Sequence, residues 1–231
     1  PLRAPSDGPI GDSSLSVDDG TASILNQNDS HPLDLEKLLA FSKPEAYFTQ
    51  VSGAIWWPMV YDLPHDAKQN FARLKRDAQN KRAMYYIDKV DAEHVFPMAG
   101  PPMFLREDLF RFNGFGLEDD SIFTDSRQFL AHMKEQRPEQ KGYEFVPGTV
   151  VELSHGEISV PESLFTDAEI DRMFDDKWSY LAEQRDERQD EIAREEASRA
   201  PILPPEEMLA AIKEWWEPLL RRARTIRNGV G

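Results

Sequence analysis

Three short apolar runs, at residues 22–26, 46–51 and 94–98, constrain the fold of this chain more than any other feature. Each has the length of a strand, ends in turn-forming residues, and is separated from the next by a stretch with helical spacing. A fourth run at 13–17 is joined to the first of them by Asp18-Asp19-Gly20, and an Asp-Gly pair between β-like runs predicts a hairpin. Between runs, Leu35, Leu38 and Leu39 mark a short helix from about residue 34. A longer helix running to about residue 90 carries Phe71, Leu74, Ala78 and Tyr85 at helical intervals. Ala99-Gly100-Pro101-Pro102 breaks the chain after the third run, a helix is expected at about 125–136, and 149–153 is again β-like. Strand, helix, strand, helix, strand is the alternation of an α/β layer with a parallel or mixed sheet.

At Thr166 the composition changes. Thr166-Asp167-Ala168-Glu169 is a capping box, and it opens a charged helix expected to run to about residue 198. A proline linker at 201–205 leads to a last helix at 206–224, with a kink expected at Pro218. The expected organisation is therefore an α/β region at 1–165 and a charged α-helical extension at 166–231. The first residues, to about 12, read as loop.

Forty-two acidic residues against 27 basic ones give a formal net charge of −15, which argues against a nucleic-acid footprint. The charge run at 183–196 and the basic cluster at 221–224 read as solvated helix faces. With no cysteine there is no disulfide, no thiolate zinc site and no iron–sulfur ligation by these residues, and a cytoplasmic location is expected. No run approaches the roughly 18–20 apolar residues of a membrane span, and no signal peptide is read. The chain starts at Pro1 inside what reads as a loop entering a strand and ends on a turn-like segment, so it is expected to be a piece of a longer protein.

Several chemical motifs are absent: His-x-His-x-Asp-His, His-Glu-x-x-His, a phosphate loop and Gly-x-Ser-x-Gly. Gly114-Phe115-Gly116 is too little for a dinucleotide fingerprint, and no two of the five histidines sit at ligand spacing. Polar and aromatic residues at strand ends remain, where open α/β sheets bind ligands. Asp29 ends the first of the three runs; a carboxylate there serves as metal ligand or base, and its commoner role is to cap a turn or the following helix. His31 precedes Pro32, as a turn residue or a pocket lining. Ser52-Gly53 and Gly100 end the next two runs. Trp56, Trp57 and Tyr61 wall a pocket, or else form a lid on the core.

The hairpin with Gly11-Asp12-Ser13-Ser14-Leu15 and then Leu25-Asn26-Gln27-Asn28-Asp29 resembles the stretch that delivers the bridging aspartate in metallo-β-lactamase-fold proteins. Ser52-Gly53-Ala54 with Pro58-Met59 and Tyr61, and Phe96-Pro97-Met98-Ala99-Gly100-Pro101, resemble the CMP-N-acetylneuraminate hydroxylase subgroup of that fold. The likeness covers roughly residues 3–130. It implies the second half of an αββα sandwich, with Asp29 as a metal ligand and His31, Ser52, Gly53, Trp56, Trp57, Tyr61 and Gly100 facing a small-molecule substrate. It implies iron or zinc held with ligands from outside the chain, a missing amino-terminal half of the same fold as partner, and a Rieske iron–sulfur cluster elsewhere in a longer protein. Hydrolases of this fold have a histidine after the last strand; Ala99-Gly100 stands there instead, which favours an oxygenase-like, hydroxylase-type reading over a phosphodiesterase or lactonase. A non-catalytic module is the third alternative. On each reading the catalytic residues are unassigned and this chain alone is expected to be inactive.

Overall fold

The computed structural model describes residues 2–3, 12–32, 34–114, 121–199 and 204–228. Most of the amino-terminal loop, Phe115 and Gly116 of the glycine pair, and most of the 201–205 linker lie outside the described residues. The α/β class holds: six strands form one mixed sheet in the order β1 (Leu2–Arg3), β2 (Ser13–Asp18), β3 (Ser23–Asn28), β4 (Ala46–Gln50), β5 (His94–Met98) and β6 (Lys141–Gly142). The first three are antiparallel neighbours, and β3 to β6 run parallel. The parallel strands are linked by α1 (Leu35–Phe41), α2 (His65–Val90), and α3 (Glu107–Phe110) with α4 (Ser126–Gln136). Their carboxyl ends therefore share one edge, which collects the residues that follow each strand.

The β2–β3 turn is fixed by its aspartates. Asp18 accepts from the Gly20 amide at 2.8 Å, and Asp19 from the Thr21 amide (2.8 Å), the Thr21 hydroxyl (2.7 Å) and the Ala22 amide (2.9 Å). These bonds, led by the Thr21 hydroxyl, bring the Asp19 carboxyl from an ordinary 3.8 down to about 2. A depressed carboxylate contributes stability above its unfolded value and loses it as pH falls through the folded one. A carbon NMR titration is expected to place the Asp19 midpoint near 2; a midpoint at the ordinary value would mean that the turn is not held this way.

One face of the sheet is packed by α1, α2 and α4 around Leu25, Tyr47, Ile87, Val95 and Phe129, each at most 1% exposed. Side chains of this size stabilise by about 1.5–3 kcal/mol each when fully buried. The buried stripe of α2 runs through Ala72, Arg76, Gln79, Ala83, Ile87 and Val90, at intervals of three and four. The expected stripe was displaced from it: Leu74 and Tyr85 are 49% and 55% exposed. Two polar residues in the true stripe explain the difference, because Arg76 is buried by donating to the Ser121 carbonyl, a partner 45 residues away.

The opposite face is only partly covered. Paired register puts Leu15 and Val17 beside Asn26 and Ile24, which lie beside Phe48 and Ala46. Leu15 and Val17 are 50% and 44% exposed. Towards β6 the cover improves. Phe48 stacks on Phe96 and Phe96 on Tyr143, with centroids 4.6 and 5.0 Å apart. A separate hairpin, β7 (Val150–Ser154) with β8 (Glu157–Glu162), meets this end: His94 Nε2 donates to the Gly156 carbonyl at 2.8 Å, and its Nδ1 lies 2.8 Å from the Tyr143 hydroxyl. The β-like run at 149–153 thus pairs with β8, unforeseen from the sequence, and stands outside the main sheet.

The chain divides into two compact units, 1–187 and 188–231. The helix expected over 166–198 is three: α5 (Asp167–Asp175), α6 (Lys177–Glu187) and α7 (Gln189–Ser198). The capping box is formed, with the Thr166 side chain accepting from the Glu169 amide. The first break, at Asp176, falls between two tertiary anchors described below, which no local pattern encodes. Residues 166–187 belong to the first unit. In the second unit, α8 (Pro205–Asn228) continues through Pro218. Among the described residues no helix is long and apolar enough to cross a membrane.

Candidate functional site at the carboxyl edge of the sheet

The segment after β5 organises the edge. Ala99 has φ +63°, and the Gly100–Pro101 peptide is cis. Gly100 lies flat on Ser52, in the segment after β4: a Cβ built on Gly100 would stand 2.2 Å from the Ser52 Cβ and 2.5 Å from its Oγ. Only glycine permits that approach. The ridge formed by residues 99–102 has a hollow on each side.

The first hollow, of about 410 Å³, is lined by Gly53, Ala54, Ile55 and Trp56 opposite Pro101, Pro102, Phe104 and Phe123. The Trp56 ring packs on Phe104 and Phe112, at 5.1 and 5.9 Å. Beneath it, the buried Ser52 Oγ and Gln79 Oε1 have no hydrogen-bond partner among the described residues. Buried polar atoms are usually partnered; these two are closed off from the hollow, since neither Ser52 nor Gln79 is in its lining. The structure therefore brings together Ser52, Gly53, Trp56 and Gly100.

The other expected site residues lie elsewhere. Trp57 turns onto Phe71, centroids 5.0 Å apart, and Tyr61 is 52% exposed. Neither lines the hollow. Asp29 is exposed, beside Asn28 at φ +53°, and shares with His31 a recess of only about 10 Å³ at the end of β3. Under that recess runs a buried relay: Tyr47 donates to Gln27 Oε1 (2.5 Å), Gln27 Nε2 to the Ser30 carbonyl (2.9 Å), and the Ser30 hydroxyl to the Gln27 carbonyl (2.8 Å). Burial pushes the Tyr47 hydroxyl far above its usual value, so the relay holds its protons and fixes the turn. Among the described residues, no three His, Cys, Asp or Glu side chains are grouped to hold a metal ion.

The second hollow, of about 540 Å³, lies on the other side of the ridge, under α5 and α6. Its wall runs from Pro97 to Met103, continues through Ser126 and Phe145–Pro147, and closes with Met173, Phe174, Lys177, Tyr180 and Leu181. Two anchors hold the helices there. Arg127 donates to both Glu144 oxygens (2.7 and 2.8 Å), to Asp171 (2.8 Å) and to Asp175 (2.9 Å), with its guanidinium 4.9 Å from the Phe174 ring centroid. Those bonds, Glu144 first, raise its pKa further. Lys177 pairs with Asp125; their side chains are 10% and 1% exposed. Asp125 also caps α4, accepting from the Gln128 amide at 2.7 Å in a capping box. Burial pushes the Lys177 ammonium down to about 8. Sequence reading missed this hollow, because Lys177 sits in a charged stretch that looks solvated.

Among curated proteins, the chain is similar to a provisionally named Rieske 2Fe-2S iron–sulfur protein of Mycobacterium tuberculosis strain H37Rv, with 36% identity over 232 residues. It is also similar to one of Mycolicibacterium smegmatis, with 35% identity over 238 residues. All of this chain is covered in both. It spans only 45% and 44% of those relatives, less than half of their length. No family profile and no solved structure matches the chain, so neither links it to the metallo-β-lactamase fold. A Rieske cluster takes two cysteines and two histidines. This chain has no cysteine, so its residues do not fit that cluster.

Proposed function

We propose that this chain is the cluster-free, substrate-side part of an iron-dependent, Rieske-associated oxidoreductase of hydroxylase type. The observation that carries the reading is the likeness to proteins named for a Rieske cluster along the whole of a chain that has no cysteine. The cluster then belongs to another part of a longer protein, and this part supplies the sheet edge and its hollows for a small-molecule substrate. The finer reading is the second half of a metallo-β-lactamase-type αββα sandwich at 1–165, with the charged helices from 166 appended. Its support is the half-covered sheet, helices on one face and exposed Leu15 and Val17 on the other, since a sheet face of this kind is buried in a two-layer core. A second sheet, the missing half, would dock there and bring the ligands that join Asp29 around an iron, or less fittingly a zinc, ion. The location proposed for it is the cytoplasm.

The test uses the longer protein. Deleting these 231 residues is expected to leave the cluster's absorption and paramagnetic resonance signals intact and to abolish reoxidation of the reduced cluster when substrate and oxygen are added. Loss of the cluster signals on deletion would place cluster binding here and overturn the reading. So would two tightly held zinc ions per chain together with phosphodiesterase turnover.

A further inference from the structure

The hollow under α5 and α6 is an apolar cavity with a cation in its wall. At about 540 Å³ it falls in the range that encloses small organic ligands. Most of its lining is Pro, Met, Phe and Leu, and among the described residues its single charged lining residue is Lys177. Asp125 is not in this lining; with Lys177 it lines a separate recess of about 320 Å³, and it is committed through one oxygen to the cap of α4. Ser126 and Tyr180 add hydroxyl-bearing residues to the wall. A cationic ligand would meet Lys177 across a medium that screens little. Lys177 and Asp125 already sum to zero charge, so a monocarboxylate adds one negative charge, which Asp125 opposes, and a doubly charged anion adds two. A purely hydrocarbon ligand would leave the ammonium desolvated with nothing added.

We propose that this hollow binds a small apolar monocarboxylic acid, its carboxylate on the Lys177 ammonium and its hydrocarbon body along the wall from Pro97 to Met103. The inference rests on the reading of the carboxyl edge as the ligand side, and it does not need the electron-transfer part of that reading. The carboxylate makes a charge-assisted bond, about twice as strong as a neutral one, and shares the ammonium with Asp125. Asp125 is a competitor as well as an anchor.

Calorimetric titration of the 231-residue chain with octanoate, 1-octanol and octylamine tests this. Octanoate is expected to bind at least about tenfold more tightly than octanol, and octylamine not to saturate. Asp125→Asn keeps a good helix cap and removes the competing charge, so octanoate is expected to bind it about tenfold more tightly than the parent chain. The double change Asp125→Asn with Lys177→Gln removes both charges together and leaves no unpaired one; acid and alcohol should then bind alike. Equal binding of acid and alcohol by the parent chain would overturn the proposal, as would an acid preference that survives the double change. Octanoate binding in a longer protein without substrate-linked electron transfer would overturn the functional reading and leave this one standing. Absence of octanoate binding beside intact electron transfer would do the reverse.

Discussion

Replacing Asp125 by Ala is expected to lower stability by about 3–5 kcal/mol, the range for removing one partner of a buried ion pair. Three losses coincide. Lys177, with a side chain only 10% exposed, keeps its charge without its carboxylate or surrenders its proton. The α4 amide of Gln128 loses its acceptor, and cap removal alone costs about 1 kcal/mol. The anchor of α6 over the second hollow goes with them. At about 2–4 °C per kcal/mol for a chain of this size, the melting temperature should fall by about 6–20 °C. Pairing Asp125→Ala with Lys177→Met should recover most of the loss, because no buried charge is then left alone. An unfolding free energy from urea denaturation that falls by less than about 1 kcal/mol for the single change would mean that the pair is solvated and contributes as a surface pair does.

That pair also marks the limit of what the sequence discloses. Asp18-Asp19-Gly20 forms its hairpin, and the runs at 46–51 and 94–98 become adjacent parallel strands, because turn chemistry and apolar runs are local signals. The stripe of α2 is not local in that sense. Arg76 is buried through the Ser121 carbonyl, and hydrophobic periodicity cannot anticipate a cation satisfied by a distant backbone group. The break at Asp176 has the same origin: Arg127 holds α5 through Asp171 and Asp175, and the Lys177–Asp125 pair holds α6. The β7–β8 hairpin turns on His155-Gly156, both at positive φ, and a His-Gly pair is a weaker signal than Asp-Gly.

For the site, strand-end position was the informative signal. It brought Ser52, Gly53 and Gly100 to one place because β4 and β5 are neighbours in parallel. Asp29 shares the edge but follows β3, where the turn through Asn28 leaves it exposed. Adjacent tryptophans were indistinguishable in the sequence. Structure separates them: Trp56 goes to the hollow and Trp57 to Phe71.

Gly100→Ala is the second large effect expected, about 3 kcal/mol, at the upper end of what overpacking usually costs. The added methyl would stand 2.2 Å from the Ser52 Cβ and 2.5 Å from its hydroxyl oxygen. Neither is the far end of a long side chain, and Ser52 is 1% exposed at the end of β4, so relief requires the backbone after β5 to move. Gly100 lines both hollows, and that movement should alter ligand binding on each side of the ridge. A second change isolates the cause. Ser52→Gly removes both close atoms and leaves the Ser52 Cα, 3.7 Å from the new methyl, an ordinary van der Waals distance. Ser52→Gly with Gly100→Ala should therefore be more stable than Gly100→Ala alone, even though a glycine in place of Ser52 adds about 0.5–1 kcal/mol of backbone entropy cost. Such a rescue is a coupling between touching residues. Denaturation of the two single variants and the double one measures it, and a Gly100→Ala chain as stable as the parent would mean that the two segments do not meet as described.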